Sequence, residues 1–251
     1  MLLREVNNMP ARCVPLPRLE KAIREVCICL QEKCARKFEW ETLGEDDLWR
    51  ELVACILGSR VRYDVAYSAI ERMEKASLFS ATRTLTRRSK YEEDVLSALS
   101  EASGSEDACG VHSRYPFPRL RAGQISSAAE TLYSSGGTIR SLLEKARDER
   151  EARRHLARGI AGLGPKQASL FLRNIGYASQ VAVLDVHVLT YMDWVGLTPS
   201  PVRTVRTIRQ YEMLEDAFIE HSCSSGFPPD RFDLAVWVVV RVVKKEYASC
   251  Q

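Results

Sequence analysis

The chain has 251 residues, 45% of them hydrophobic, and a formal net charge of +3 at pH 7. That composition suffices for a real core in one large domain or two lobes, and no apolar run approaches the roughly 20 residues a membrane helix needs. The small charge excludes a global field for nucleic acid, so binding of that kind must come from local patches, at Arg60 with Arg62 and at residues 83–90, 153–158 and 203–209. The opening Met-Leu-Leu-Arg-Glu-Val-Asn-Asn places an acid and two amides where a signal peptide needs an apolar stretch. An intracellular protein is expected, in the cytoplasm or nucleoid of a prokaryote or in a nucleus. Its eight cysteines then read as reduced thiols, mostly buried, as at Cys27, Cys34 and Cys55.

Residues 1–16 contain Pro10 and Pro15 and read as an arm, followed by a single two-lobed domain over 17–251. Leu19, Ile23, Val26, Leu30 and Cys34 mark a first long helix. Asp46 and Asp47 favour the start of a second, with Leu48, Leu52, Cys55 and Ile56 as its buried face and Gly58 as its end. Val65, Ala66, Ala69, Ile70 and Met73 give the next, and Tyr91, Val95 and Leu99 another. From 102 to 118 the chain turns polar and then Pro-rich, which predicts a loop crossing between lobes. Helical spacing resumes at Ile125, Ala129 and Leu132, and again at Ile139, Leu142, Leu143 and Ala146. Val188, Met192 and Val195 follow later, then Tyr211, Leu214 and Phe218. The segment 234–243 is rich in valine and suits a strand by propensity alone, but Asp230 ahead of it and Lys244-Lys245 behind favour a helix. With no sustained two-residue alternation, the expected class is all-α.

One stretch organises the rest. Leu156, Ile160 and Leu163 recur at helical spacing before a Gly-rich turn, and Ala168, Phe171, Leu172 and Ile175 recur after it. Gly162 and Gly164 admit backbone conformations that other residues avoid and present no side chain to a close partner. Pro165 suits the first position of the second helix and Gly176 its C-terminal cap. The pattern is a helix-hairpin-helix over about 152–176, and the N–H groups at its second helix make a site for one backbone phosphate. Gly162, Leu163 and Gly164 are the expected DNA contacts. Lys166 follows at once, and Asp185 ends the apolar run 181–184.

These residues resemble the helix-hairpin-helix DNA glycosylase superfamily. Gly-Leu-Gly-Pro-Lys-Gln-Ala-Ser followed by Phe-Leu-Arg-Asn-Ile-Gly is most similar to the type 2 8-oxoguanine DNA glycosylase/AP lyases, and the likeness returns at Asp233-Leu234-Ala235-Val236-Trp237. The resemblance implies a two-lobed helical fold, with the middle of the chain up to the hairpin as one lobe and the N-terminal helices with the C-terminal segment as the other. The active site would lie in the cleft between lobes, and the protein would act as a monomer on double-stranded DNA that holds a damaged base. It implies Lys166 and Asp185 as the catalytic pair, Trp237 as the residue that stacks on the flipped base, and Phe117 as its counterpart, with Tyr115 the second choice. Some relatives carry an iron–sulfur cluster on four closely spaced C-terminal cysteines. Only Cys223 and Cys250 lie in that region, so neither a metal nor another cofactor is expected.

The chemistry agrees with the residue types. A free lysine has a pKa of about 10.4; a helix N-terminus and partial burial both disfavour its ammonium form, which suits a nucleophile able to form a Schiff base. Asp185 would stabilise positive charge on the sugar, or serve only as a helix N-cap. A base inside a duplex must be flipped out before it can be cut, and the vacated stack needs a plug. In Leu57-Gly58-Ser59-Arg60, which resembles the family's Leu-Thr-Ala-Asn, Arg60 takes the place of the amide, and a guanidinium reads base edges differently. Val186 stands where the family has arginine before His187. The alternatives are a glycosylase of the same fold acting on another damaged or modified base, and a helix-hairpin-helix that only binds DNA. A pure binder has no use for the Lys166, Asp185 and Trp237 constellation.

Overall fold

The computed structural model describes residues 15–33, 39–80, 88–106, 112–202 and 204–249. The chain divides into a continuous unit, Phe38–Tyr177, and a discontinuous one, Met1–Lys37 with Ala178–Gln251.

In the continuous unit α2 (Glu45–Leu57) is the helix that others pack upon. Leu48, Trp49, Leu52, Val53, Cys55, Ile56 and Leu57 are all buried, so it is apolar on nearly every side. Three acids fill its first turn, and the Asp47 carboxylate accepts the Gly44 N–H at 3.0 Å. Around it lie α3 (Tyr63–Lys75), α5 (Pro118–Tyr133), α6 (Ile139–Glu144) and α8 (Pro165–Asn174), while α4 (Arg88–Ser100) packs on α3 and α5 and α7 (Glu149–Gly159) on α8. Glu45 ties α2 to α6 by accepting the Ile139 N–H at 2.7 Å and to α5 by accepting the Tyr133 hydroxyl at 3.0 Å.

The expected crossing at 102–118 lies inside this unit. It carries a short antiparallel pair, β1 (Ala102–Glu106) and β2 (His112–Arg114), with Ala102 opposite Arg114 and Glu106 opposite His112. A ladder that short needs no apolar alternation, so the sequence carried no sign of it. The remainder of the described chain is helical where it is regular, as an all-α class requires.

The discontinuous unit joins α1 (Leu16–Lys33) to α9 (Val186–Trp194), α10 (Ile208–Ser224) and α11 (Pro229–Ser249). The last of these is the hub, contacted by the other three. Leu19 and Ile23 pack in one cluster with Tyr191, Phe218, Phe232 and Val236, each such side chain contributing about 1.5–3 kcal/mol by burial. The valine-rich segment is helical because its apolar residues fall at helical spacing. Phe232, Val236, Val239 and Val240 are buried while Arg241 and Val242 face water. Cys27 and Cys55 are buried free thiols, whereas Cys29 and Cys223 are exposed; Cys34 and nearly all of the expected arm lie outside the described residues.

Candidate active site

The hairpin starts earlier than its apolar pattern suggested, at Glu149, because the Asp148 side chain caps α7 through the Glu151 N–H at 2.7 Å. After α7 the chain turns through Leu163, whose N–H donates to the Ile160 carbonyl at 3.2 Å. Gly162 sits at φ +86°, and a Cβ there would lie 3.1 Å from both Gln124 Oε1 and Ile56 Cγ2. Conformation and space both demand glycine at that position. Gly164 is different: its backbone is extended, and nothing lies within 4 Å of where a Cβ would be. Leu163 differs from both glycines, since its side chain is buried in the core.

Pro165 has no N–H, and no side chain caps α8, so its first turn offers the Lys166 and Gln167 N–H groups without a helical acceptor. The Lys166 side chain is half-buried and has no hydrogen-bond or ion-pair partner among the described residues. It lies close to Cys55. Burial and the Glu51 charge push that thiol well above its usual range, and the charges of Lys166 and Arg173 oppose them.

Asp185 is presented in another way. One carboxylate oxygen, Oδ1, accepts the N–H groups of His187 at 2.8 Å and Val188 at 2.9 Å, capping α9, and Oδ2 takes part in neither bond. The segment 181–184 before it is buried and belongs to no helix or strand, so its main-chain polar groups need partners from elsewhere. Glu215 Oε1 accepts from Ala182 N at 3.0 Å, and Asp233 Oδ2 accepts from Val183 N at 2.6 Å. The Tyr211 hydroxyl accepts from Leu184 N at 3.0 Å and donates to the Ala182 carbonyl at 2.7 Å. Behind Asp185, Lys244 is buried and donates to Thr190 Oγ1 at 3.2 Å. Burial pushes its ammonium below the usual lysine range, and the Asp185 charge pulls it back up.

Trp237 is half-buried on α11, with the His187 ring edge-on at 6.5 Å and the Arg241 guanidinium 5.0 Å from its ring centre. It is not a sealed core tryptophan like Trp49. The two candidates for its counterpart separate clearly. Tyr115 is buried with its hydroxyl on the Leu57 carbonyl at 2.7 Å, whereas Phe117 is 40% exposed at the start of α5. Arg60 is exposed in the turn after α2 and holds φ +62°, a conformation that costs a non-glycine residue free energy and collects at functional sites.

Thus Lys166, Gly162, Leu163, Gly164, Arg60 and Phe117 belong to the continuous unit, and Asp185 and Trp237 to the discontinuous one. The basic patches fare unevenly. Arg62 pairs with Asp64 at 2.7 Å, and Arg153 is fully buried with Nη1 3.4 Å from Ser169 Oγ. Arg203 and residues 83–87 lie outside the described residues. Sequence reasoning missed the supports Glu215, Tyr211 and Arg121. Glu215 left one trace, an acid on the same helical face as Tyr211 and Phe218.

The family model for 8-oxoguanine DNA glycosylase matches residues 31–226. The 8-oxoguanine DNA glycosylase/AP lyase of Korarchaeum cryptofilum is 29% identical over 208 residues, 83% of this chain and 86% of that protein. Its counterpart in Sulfurisphaera tokodaii is 28% identical over 81% of this chain and 87% of its own length. The crystal structure of the Thermotoga maritima 8-oxoguanine DNA glycosylase shares the fold, with a TM-score of 0.67 at 23% identity over 89% of this chain and 96% of that one. So does the Methanocaldococcus jannaschii 8-oxoguanine glycosylase/lyase in complex with a 15mer DNA containing 8-oxoguanine, with a TM-score of 0.66 at 22% identity over 88% and 95%. Among the described residues no helix is long and apolar enough to cross a membrane. With the family model covering most of its length, the chain belongs to the 8-oxoguanine DNA glycosylase family.

Proposed function

We propose that the protein is a DNA repair glycosylase and AP lyase that removes 8-oxoguanine from duplex DNA inside the cell, with Lys166 and Asp185 as its catalytic pair. The observation that carries the residue assignment is a contrast in side-chain commitments. Lys166 stands in an uncapped first turn whose N–H groups lack helical acceptors and has no partner of its own among the described residues, and Asp185 leaves Oδ2 outside its helix cap.

The neutral Lys166 amine attacks C1′ as the C1′–N9 bond breaks, and the bonding electrons leave with the base, which takes up a proton. The Asp185 carboxylate faces the positive charge that develops on the sugar. Ring opening gives a Schiff base between Nζ and C1′. Loss of the acidified C2′ proton then expels the 3′ phosphate and nicks the strand, and water releases the lysine. The hairpin turn holds a backbone phosphate through N–H groups. Trp237 and Phe117 stack on the flipped base, and Arg60 fills the vacated stack.

Borohydride reduction during turnover tests this reading on a panel of duplexes, each carrying one lesion. The expected result is a covalent protein–DNA adduct and a nicked strand with the 8-oxoguanine duplex. An intact strand and no adduct with that duplex would overturn it.

A further inference from the structure

Arg121, on α5, is only 6% exposed and forms no ion pair among the described residues. Its Nη1 donates to Gln124 Oε1 at 2.6 Å and its Nη2 to the Ser59 carbonyl at 2.8 Å, while Nε is buried without an acceptor. Beside it is the Tyr115 hydroxyl, which burial pushes above the usual phenol range and the Arg121 charge and hydrogen bond draw back down. A guanidinium buried with only neutral acceptors among the described residues is unfavourable, because two neutral hydrogen bonds replace only part of the lost hydration of its charge.

Its neighbours show what that cost achieves. Ser59 precedes Arg60 in the turn after α2. The Gln124 carboxamide occupies the space that a side chain at Gly162 would need, 3.1 Å from that position. One guanidinium therefore links two turns that are far apart in sequence, the one carrying the plug and the one offering N–H groups to phosphate. Among the described residues no acid pairs with its charge. A buried charge is screened by salt far less than an exposed one, so it acts on an anion nearby with unusual strength.

We propose that Arg121 is a positioning residue for DNA binding: it braces the Arg60 turn against the hairpin turn, and a DNA backbone phosphate at the hairpin supplies the counter-charge. This rests on the DNA-glycosylase reading above. It adds a fixed cation that draws a phosphodiester without sharing its chemistry.

The test uses the full chain and a duplex with a tetrahydrofuran abasic analogue, with affinity measured between 50 and 200 mM salt. Arg121→Met should lose affinity by about tenfold at the lowest salt and flatten the slope of log K against log salt by about 0.9. Its melting temperature without DNA should hold or rise, since an apolar side chain replaces an unpaired buried charge. Arg121→Lys should restore the slope but not the single-turnover rate of base release, because one ammonium cannot span both acceptors as the fork does. Gln124→Met should keep the wild-type slope and slow base release. An Arg121→Met protein with the wild-type slope, or one whose affinity falls only alongside its melting temperature, would overturn the proposal. A wild-type protein that binds the duplex but never releases 8-oxoguanine would sink the catalytic reading alone, and the slopes would still decide Arg121.

Discussion

Lys166 and Asp185 are held by opposite means. Lys166 is placed by its immediate surroundings: a glycine turn, a proline that opens a helix, and a helix face packed on α2. Asp185 ends an extended segment whose buried N–H groups are satisfied by Glu215, Tyr211 and Asp233, all from helices much later in the chain. A side chain on a helix start is placed by its own turn and by one packed helix face. One at the end of an irregular buried segment needs distant side chains to fix that backbone.

The largest effects should come from the pair itself. Lys166→Gln is expected to cut strand nicking by roughly 10³-fold or more while lesion DNA is still bound, read by single-turnover gels and affinity. Asp185→Asn should also bind, and it should slow base release far more than nicking of a ready-made abasic site. If the two variants lost both steps to equal degrees, the division of labour drawn here would be wrong.

Next comes the scaffold behind Asp185. Tyr211→Phe removes the acceptor for Leu184 N and the donor to the Ala182 carbonyl, and it should cost about 1–3 kcal/mol in thermal or urea unfolding. Base release should slow with it, while nicking of a pre-formed abasic site should stay nearer wild type. Unchanged stability would mean that the segment holds itself without distant help.

The hairpin offers the complementary test. Gly162→Ala forces a Cβ into the left-handed region and against Gln124 and Ile56, at a cost of about 1–2 kcal/mol. Gly164→Ala meets open space and should leave the melting temperature within error, so any loss it shows on DNA must come from the contact itself. Equal destabilisation by both changes would erase the distinction between the two glycines.

This contrast also explains what could be read in the sequence. The helix-turn-helix of the hairpin, the left-handed Gly162, and the helical reading of the valine-rich segment rest on spacing within a dozen residues and stand in the structure, whereas Gly164 is extended and has room for a side chain. The division into a middle unit ending in the hairpin, with the N-terminal helix and the C-terminal segment sharing the other, also stands. The crossing between lobes expected at 102–118 does not: the change of unit falls at 37/38 and 177/178, because polar composition marks exposure and says nothing about which helices share a core. Glu215 and Arg121 escaped for the same reason. A charged residue inside a core is meaningful only once its partners, Ala182 N in one case and the Ser59 carbonyl in the other, have been brought to it.

The smallest effect concerns pH, and it belongs to the core of the Asp185 unit. The His221 ring is 2.8 Å from the Tyr191 hydroxyl, and burial pushes its pKa below the ordinary histidine value, with Glu20 opposing. The unfolded chain takes up a proton more readily than the folded one. The contribution of His221 is therefore complete above the unfolded pKa of about 6.5 and is lost as pH falls through the folded value. Unfolding curves should weaken over that window, and His221→Gln should flatten the change. A pH dependence that survives the substitution unaltered would assign it to another group.

The discontinuity of one unit bears on how the molecule is made. Helix α1 leaves the ribosome before α9, α10 and α11, with which it shares a core, and the entire continuous unit separates it from them. Domains tend to fold as units while the chain is still being synthesised, and closing so long a loop carries an entropy cost that nearby contacts cannot offset in advance. The half of the protein that carries Lys166 can therefore assemble co-translationally, whereas Asp185 is fixed only after Asp233 has emerged. A nascent chain stalled before α11 would lack the Asp233 carboxylate that accepts the Val183 N–H, so the backbone leading into Asp185 would be unfixed while the hairpin unit was already formed.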